Sequence, residues 1–544
     1  MVDENIVYRP DLAIKAPHAT RVALVAHQPD ALVTRKPVDP LLLDRWRSAV
    51  GYDRPLLLVH IADGPEDGTG YEQLPPNIEL HRIDATGDGQ PEVKAFEWIE
   101  QRNTARLPEA ASTEVGERSF RPTGRNGRRR VVLIGAGIVN LVTAYSLAQQ
   151  GYEVECHDAS PDPLDPDGDW RDQGCTFGGN DARIFSLNET RHHHYRGGAV
   201  DATTNTDFRR LVADGGWLSR APDRLSATDQ QWIEEFERVP QWLAARFERD
   251  LVAVNRESHV LWRQLLADRP DLFEGVGFHD GLLRLYPDAD GYAAARQKER
   301  AIGALQREID PVRLGEEFPS LREAVDGGAV GGALEVVGFS LNIHRFGHAL
   351  IRHLTREGAR FVWNSRVECR EDGGRGGCRT FLANGEVLEA DGYVISVGAT
   401  GNGLLRAFDC REAVAPVIGM WITLPGDTPK LDRPIKITRA GYAAGAGAAQ
   451  GANVIGARDR DGRDVIHLGS GHGFIGHDIA AMDPDQIADL ARAVEDTARR
   501  FFPSRYEKAQ AMGMLDGPRR YCIRPWTPSG LGLFERLRDE ARDG

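Results

Sequence analysis

No run of roughly 18 apolar residues occurs in the 544-residue chain, so nothing in it reads as a membrane-spanning helix. Met1 to Lys15 carries acids and prolines where a secretory leader needs an unbroken apolar segment, and the expected location is the cytoplasm. Cysteines are scarce. The six (Cys156, Cys175, Cys369, Cys378, Cys410 and Cys522) contain no C-x-x-C pair, which fits neither a disulfide scaffold nor a structural zinc site and predicts reduced thiols. Positive charge is also short: 67 Lys and Arg stand against 81 Asp and Glu, a net charge of −14 that repels nucleic-acid phosphates and anionic lipid. The one basic run, Arg125, Arg128, Arg129 and Arg130, leads into an apolar stretch and reads as a solvated linker end. Internal repeats and long low-complexity tracts are missing as well.

What remains is globular: 41% hydrophobic residues, with 59 Gly and 30 Pro supplying many turns, over a length that demands several cores. Up to about residue 105, short apolar runs (Val22 to Val25, Leu56 to Ile61, Ile78 to Ile83) alternate with helix-like stretches (Leu41 to Val50, Val93 to Arg102), the rhythm of a small α/β unit. It lacks a glycine-rich phosphate loop. The polar, turn-rich text from Asn103 to Asn126 reads as a linker. Amphipathic helices are expected over Asp229 to Arg249 and Glu257 to Leu266, with Trp232, Phe236, Trp242 and Trp262 forming a core stripe. Strand and hairpin signals dominate from Gly331 to His472, with turns at Asp372-Gly-Gly and Ala383-Asn-Gly, and a last helix is expected over Pro484 to Phe502.

The informative segment starts at Arg129. Val131-Val-Leu-Ile134 is a buried-strand run, followed by Gly135-Ala-Gly-Ile-Val-Asn140, a helix-spaced apolar set (Leu141, Ala144, Tyr145, Leu147) and a second strand, Glu153 to Cys156. In a dinucleotide-binding turn the first glycine permits the sharp exit from the strand, and the second lets the backbone approach a pyrophosphate. The helix that follows aims its free N–H groups and dipole at that diphosphate. Gly135 and Gly137 match; Asn140 replaces the usual third glycine, which either sets the helix slightly farther from the sheet or supplies a polar contact. Asp158 follows Gly135 by 23 positions, close to the ~20 expected of the acid that grips a ribose hydroxyl. Gly135, Ala136, Gly137, Ile138, Val139 and Asn140, with Asp158 and Ala159, are the candidate nucleotide-binding residues.

Val131 to Asp158 resembles the flavin-binding start of the D-amino-acid oxidase superfamily, the branch with glycine oxidase, sarcosine oxidase and D-amino-acid dehydrogenases. Gly178-Gly-Asn180-Asp181-Ala182-Arg183 is similar to the family segment that passes the isoalloxazine ring. Asn364-Ser-Arg-Val367 resembles the backbone adenine contact, and Glu389 to Thr400, with Val397, Gly398 and Ala399, resembles the returning strand and turn near the cofactor. Pro416-Val-Ile-Gly419 resembles the opening of the substrate-domain sheet, and Ile523-Arg524-Pro-Trp-Thr-Pro-Ser-Gly530 the Arg-Pro…Thr-Pro-Asp-Gly signature, with serine at the acidic position. The resemblance covers about 130 to 536 and implies FAD. It implies an α/β architecture: a Rossmann-type FAD-binding domain in three pieces (129–215, 336–410 and 506–544), interleaved with a substrate domain (216–335 and 411–505) on a mainly antiparallel sheet. The N-terminal unit spans 1–105 and the linker 106–128. In the family a strand and a glycine-rich helix start follow the Arg524 signature, whereas this chain stops at Gly544. Two explanations are expected: a partner polypeptide, made by cleavage of a longer precursor, or a truncated chain. Self-association is left open.

The activity implied is oxidation of an amino acid or related amine to the imine, which needs the substrate Cα–H over flavin N5, an unprotonated amine and an anchor. For a carboxylate, arginine is the natural anchor because its planar fork meets both oxygens. Arg183 and Arg524 are the first candidates and Arg520 the next; Tyr195, His344, His472 and Tyr521 are candidates for orienting the amine. Consecutive His192, His193 and His194 point to different helix faces, so no metal is expected. Cys175 and Cys522 sit in no motif that demands a covalent flavin bond. Two alternative functions are a flavin-dependent monooxygenase that hydroxylates an amine nitrogen, and a non-catalytic flavin subunit of a larger complex.

Overall fold

The computed structural model describes residues 24, 29–50, 56–62, 64, 71, 74–75, 77–85, 91–106, 124, 127–165, 184–187, 209–212, 216–239, 241–371, 378–407, 414–427, 429–438, 451–459, 462–482, 484–517 and 520–528. Two compact units emerge, Met1–Phe120 with Arg238–Phe247, and Arg121–Glu237 with Glu248–Gly544.

The first unit holds strand β1 (Ala31–Thr34), helix α1 (Pro40–Val50), strands β2 (Leu56–Ala62) and β3 (Ile78–Asp84), and helix α2 (Pro91–Arg106). The strands form a parallel sheet in the order β1-β2-β3. The central strand β2 is apolar apart from the buried His60, because both its faces are covered. Leu56 and Leu58 pack with Leu43 and Trp46 of α1, while Leu57, Val59 and Ile61 pack with Ala95 and Ile99 of α2. Within the run Val22 to Val25, expected as a strand, the one described residue, Leu24, is helical. Its side chain joins the α1 cluster.

In the second unit, β4 (Arg130–Ile134), helix α3 (Ile138–Gln149) and β5 (Glu153–His157) open the chain, and β6 (Ile184–Ser186) follows. Helices α4 (Ala227–Arg238) and α5 (Gln241–Asp268), whose residues Arg238–Phe247 count with the first unit, lead to β7 (His279–Tyr286), α6 (Ala289–Ala301), β8 (Leu305–Ile309), α7 (Pro311–Glu317), α8 (Arg322–Asp326) and β9 (Gly332–Ser340). Helix α9 (Ile343–Arg356) returns to β10 (Arg360–Val362), a hairpin sheet β11 (Val367–Glu371), β12 (Cys378–Ala383) and β13 (Glu386–Val387), then β14 (Gly392–Ile395) and α10 (Asn402–Ala407). The chain continues with β15 (Ala415–Pro425), β16 (Ile435–Thr438), β17 (Gly451–Arg458), β18 (Asp464–Phe474), α11 (Pro484–Phe501), α12 (Pro503–Ala511) and β19 (Arg520–Trp526).

These strands build two main sheets. One is wholly parallel, ordered β10-β5-β4-β14. Its Val131, Leu133, Val154 and Cys156 face α3 and the buried Leu354 of α9, and its Val132 and Ile134 face Phe381 and Ala390 around the hairpin sheet. The other, ordered β19-β15-β18-β17-β16-β7-β9-β6 with β8 also on β9, is antiparallel throughout except for the β16–β7 pair. One of its faces supplies Ile418, Met420, Ile422 and Leu424 to the largest core, which helix α11 covers with Leu490, Val494 and Phe501.

The segment boundaries differ from expectation in one consistent way. Strands β6 and β19 and the second half of β9, which fall in stretches expected to belong to the FAD-binding domain, are laddered into the nine-stranded sheet. Helix α12, missed at the end of α11, packs on that sheet too. The partners of β6 and β19 lie far along the chain, at Ser340 for Ile184 and at Ala415 for Trp526, so local periodicity cannot say which sheet a short strand joins. Arg130 is likewise no solvated linker residue: its Nη2 stands 2.6 Å from the buried Glu155 carboxylate. Cys369 is disulfide-bonded, correcting the expectation of six reduced thiols, whereas Cys156 and Cys522 are free and buried. Trp232 and Phe236 of the aromatic stripe are core, at 1% and 0% exposure, and Trp262 packs against Phe346 and Phe273. The Trp242 side chain and the Asp372-Gly-Gly turn fall outside the described residues.

Candidate functional site

The carboxyl ends of the parallel strands carry the glycine turn. Gly135 has φ +94°, and a Cβ there would press on the Ser396 carbonyl, whose carbon would be 3.1 Å away. Only glycine meets both demands. Gly137 caps α3 from an extended conformation, with no side-chain cap bond and no acid in the first turn, and a Cβ built on it would meet nothing within 4 Å. An uncapped helix start facing open space is the shape a diphosphate needs, since its oxygens take the orphan N–H groups.

Asn140 is the departure that the structure explains. The side chain is fully buried, and its Nδ2 donates to the carbonyls of Ile134 (3.0 Å) and Gly135 (2.7 Å), tying the turn from below. Its Oδ1 is buried without a partner among the described residues. At the end of β5, Asp158 accepts from the Ala136 N–H at 2.6 Å and from the Ser160 N–H at 2.8 Å. The carboxylate therefore braces the turn, and lone pairs remain on its oxygens for sugar hydroxyls.

Beneath that acid lies a buried chain of polar groups that the sequence did not announce. His157 Nδ1 sits 2.8 Å from Ser365 Oγ and its Nε2 2.8 Å from Glu155 Oε1. Burial pushes the Glu155 carboxyl up, but the His157 hydrogen bond and the Arg130 guanidinium outweigh it and hold the group at about 2. Ser365 N–H also donates to the Asp158 carbonyl at 2.8 Å and Asn364 N–H to that of Ser160 at 2.9 Å. The Asn364–Val367 segment is thus stitched to the acid-bearing turn. Cys156, on the opposite side of β5, is inert: burial first, and then the nearby Asp158, pushes its thiol far up.

Val397, Gly398 and Ala399 follow β14, with Gly398 at φ +60°. Their turn packs beside β15 and β19 of the nine-stranded sheet, so the parallel-sheet ends meet the strand that carries Arg524. Alternation along β15 sends Ile418, Met420 and Ile422 into the core and Gly419, Trp421 and Thr423 to the other face. Register pairs Trp421 with Arg520 and Gly419 with Cys522 on β19, and Trp421 with Gly469 and Thr423 with His467 on β18. The Arg524 guanidinium lies over Gly419, its Cζ only 2.6 Å from where a Cβ would stand. Trp421 is 2% exposed, and its indole Nε1 has no partner among the described residues. His467 Nδ1 is 3.1 Å from Thr423 Oγ1.

The expected residues therefore divide. Gly135 to Asn140, Asp158, Ala159, Val367 and Val397 to Ala399 lie around the parallel-sheet ends, and Arg524 and Arg520 lie on the adjoining sheet face. Arg520 is exposed there. His344 belongs to the first turn of α9 and is buried. Tyr521 packs against the core cluster, and β19 alternation sets it on the opposite face of the strand from Arg524. Asn180, Asp181, Ala182, Arg183, Tyr195, His192 to His194, Cys175 and the His472 side chain lie outside the described residues. Among the described residues no three His, Cys, Asp or Glu gather as a metal site, and no helix is long and apolar enough to cross a membrane.

A parallel sheet with a glycine turn, an uncapped helix start and a strand-end acid, adjoining a large second sheet, defines a dinucleotide-binding oxidoreductase of the two-sheet flavoprotein class. The chain belongs to the DAO family of FAD dependent oxidoreductases, whose profile matches residues 130–542, and FAD is its cofactor. It is similar to D-amino acid dehydrogenase 3 of Mesorhizobium japonicum, 26% identical over 322 residues, 56% of this chain and 69% of that protein. It is also similar to D-amino acid dehydrogenase 2 of Ralstonia nicotianae, 24% identical over 429 residues, 74% and 88% of the two chains. Among solved structures, glycine oxidase from Bacillus cereus aligns over 74% of this chain and 84% of that one, with 14% identity and a TM-score of 0.45.

Proposed function

We propose that the protein oxidises the C–N bond of an amino acid to the imine, with the nine-stranded sheet as its substrate domain. The observation that carries this reading is the Arg524 guanidinium, laid over the Gly419 backbone where β15 and β19 adjoin the Gly398 turn. A planar fork at that place binds a carboxylate by both oxygens and stops the substrate turning round. FAD, held by the Gly135–Asn140 turn and Asp158, would supply the two-electron acceptor for this oxidation. The chain's own residues do the positioning: the turn from Gly135 to Asn140 and Asp158 hold the dinucleotide, Arg524 orients the carboxylate, and the apolar wall of Trp421 keeps water from the reacting carbon.

An anaerobic panel of D- and L-amino acids and amines, followed at the flavin absorbance, tests the reading. Bleaching by one or more amino acids is expected. The Arg524→Met variant should keep its flavin and lose at least about tenfold in kcat/KM through the missing charged hydrogen bonds. Reduction by NADPH or NADH alone would overturn the proposal in favour of the monooxygenase.

A further inference from the structure

We infer that Gly419 is a positioning residue for the substrate carboxylate: its missing side chain makes the space in which the Arg524 guanidinium lies. The inference rests on the anchor role proposed for Arg524. A Cβ built on Gly419 would stand 2.6 Å from Arg524 Cζ and 2.9 Å from Nε, so the collision involves the body of the guanidinium and not merely its flexible tip. Nε is itself buried, which leaves the group little room to swing aside.

The surroundings show that this face is built to leave room. Register sets Val417 opposite Arg524 and Gly419 opposite Cys522, so the guanidinium must reach along β15 by one pleat to cover Gly419. Directly there, the β15–β18 ladder shifts between Ile418 and Met420. Such an irregularity bends the strand and re-aims the side chains beside it. A second glycine on the same face, Gly469, pairs with Trp421, and a Cβ there would lie 3.0 Å from Trp421 Cβ. Trp421 offers its buried, unpartnered indole N–H on this face. Glycines inside strands weaken a sheet and are kept where something must approach the backbone closely. Here that something is the guanidinium, with its carboxylate.

The test is a double-substitution cycle on FAD-loaded enzyme, read as kcat and KM for the D- and L-amino acids that bleach the flavin and for the corresponding amines without the carboxylate. Gly419→Ala should lower kcat/KM for the amino acid by about 10- to 100-fold, mostly through KM, the loss expected for a charged hydrogen-bond pair. The carboxylate-free amine should change by less than about threefold, and flavin content should stay at one per chain. On the Arg524→Met background Gly419→Ala should have no further effect, because the group it displaces is gone. If Gly419→Ala alone fails to fold, the double variant should fold as well as Arg524→Met does. Equal losses with amino acid and amine, equal losses on both backgrounds, or a double variant that still fails to fold would overturn the inference. An Arg524→Met enzyme with unchanged kinetics would instead overturn the anchor role beneath it.

Discussion

Replacing Asn140 with aspartate changes one amide nitrogen to oxygen with almost no change in volume, so it isolates the hydrogen bonding under the glycine turn. Nδ2 donates to the Ile134 carbonyl at 3.0 Å and the Gly135 carbonyl at 2.7 Å from a side chain with no exposure. In Asn140→Asp both contacts become oxygen against oxygen. The Ile134 carbonyl still has the Ser396 N–H at 3.0 Å, but among the described residues the Gly135 carbonyl keeps only the Cys156 thiol at 3.5 Å. A stranded buried carbonyl costs about 1–3 kcal/mol, and an unpaired buried carboxylate about 3–5 kcal/mol. The turn escapes by distorting, and on the reading proposed above it is the turn that would receive the diphosphate. FAD should therefore bind at least about 100-fold more weakly near pH 8, equivalent to about 3 kcal/mol. The assay is quenching of FAD fluorescence on titration with apoprotein. A protonated aspartic acid can donate one of the lost bonds, so its pKa rises in the bound state. Affinity is then greatest at low pH and is lost as pH rises through that raised value. An Asn140→Asp protein that holds FAD within about threefold of the parent near pH 8 would refute the account of Asn140 as the clamp.

Two further outcomes follow from the titrating groups. The Glu155 carboxyl is held at about 2 against an ordinary 4.5, so its contribution is complete above about pH 4.5 and lost as pH falls toward 2. Denaturant unfolding from about pH 5.5 down to 3 should show up to about 2 kcal/mol of it disappearing, and Glu155→Gln should flatten that slope while lowering stability at neutral pH. Cys156, 1% exposed with its thiol pushed well up, should resist iodoacetamide in the folded protein near pH 8 and react once urea unfolds it. Labelling of Cys156 at the rate of a free thiol would show that β5 is not packed as described.

The sequence by itself determined the cofactor turn. Val131 to Ile134, Gly135, the helix behind it and Asp158 are fixed by backbone demands within some thirty residues: a buried parallel strand, one positive φ, an orphan helix start and an acid at the next strand end. The Ala383-Asn-Gly turn was legible for the same reason, since Asn384 at φ +51° and Gly385 at φ +86° close the β12–β13 hairpin locally. Only the tertiary structure decided the rest. That β6, β9 and β19 join the nine-stranded sheet depends on ladder partners far along the chain. The buried line from Glu155 through His157 to Ser365 needs β5 and the segment after β10 side by side. And that Arg524 shares a face with Gly419 while Tyr521 lies on the other rests on strand parity in the β15–β19 ladder, where a shift of a single residue would exchange the two. Local patterns record what the backbone needs at each position, whereas the neighbours a side chain finds across a sheet are set by burial shared between distant segments.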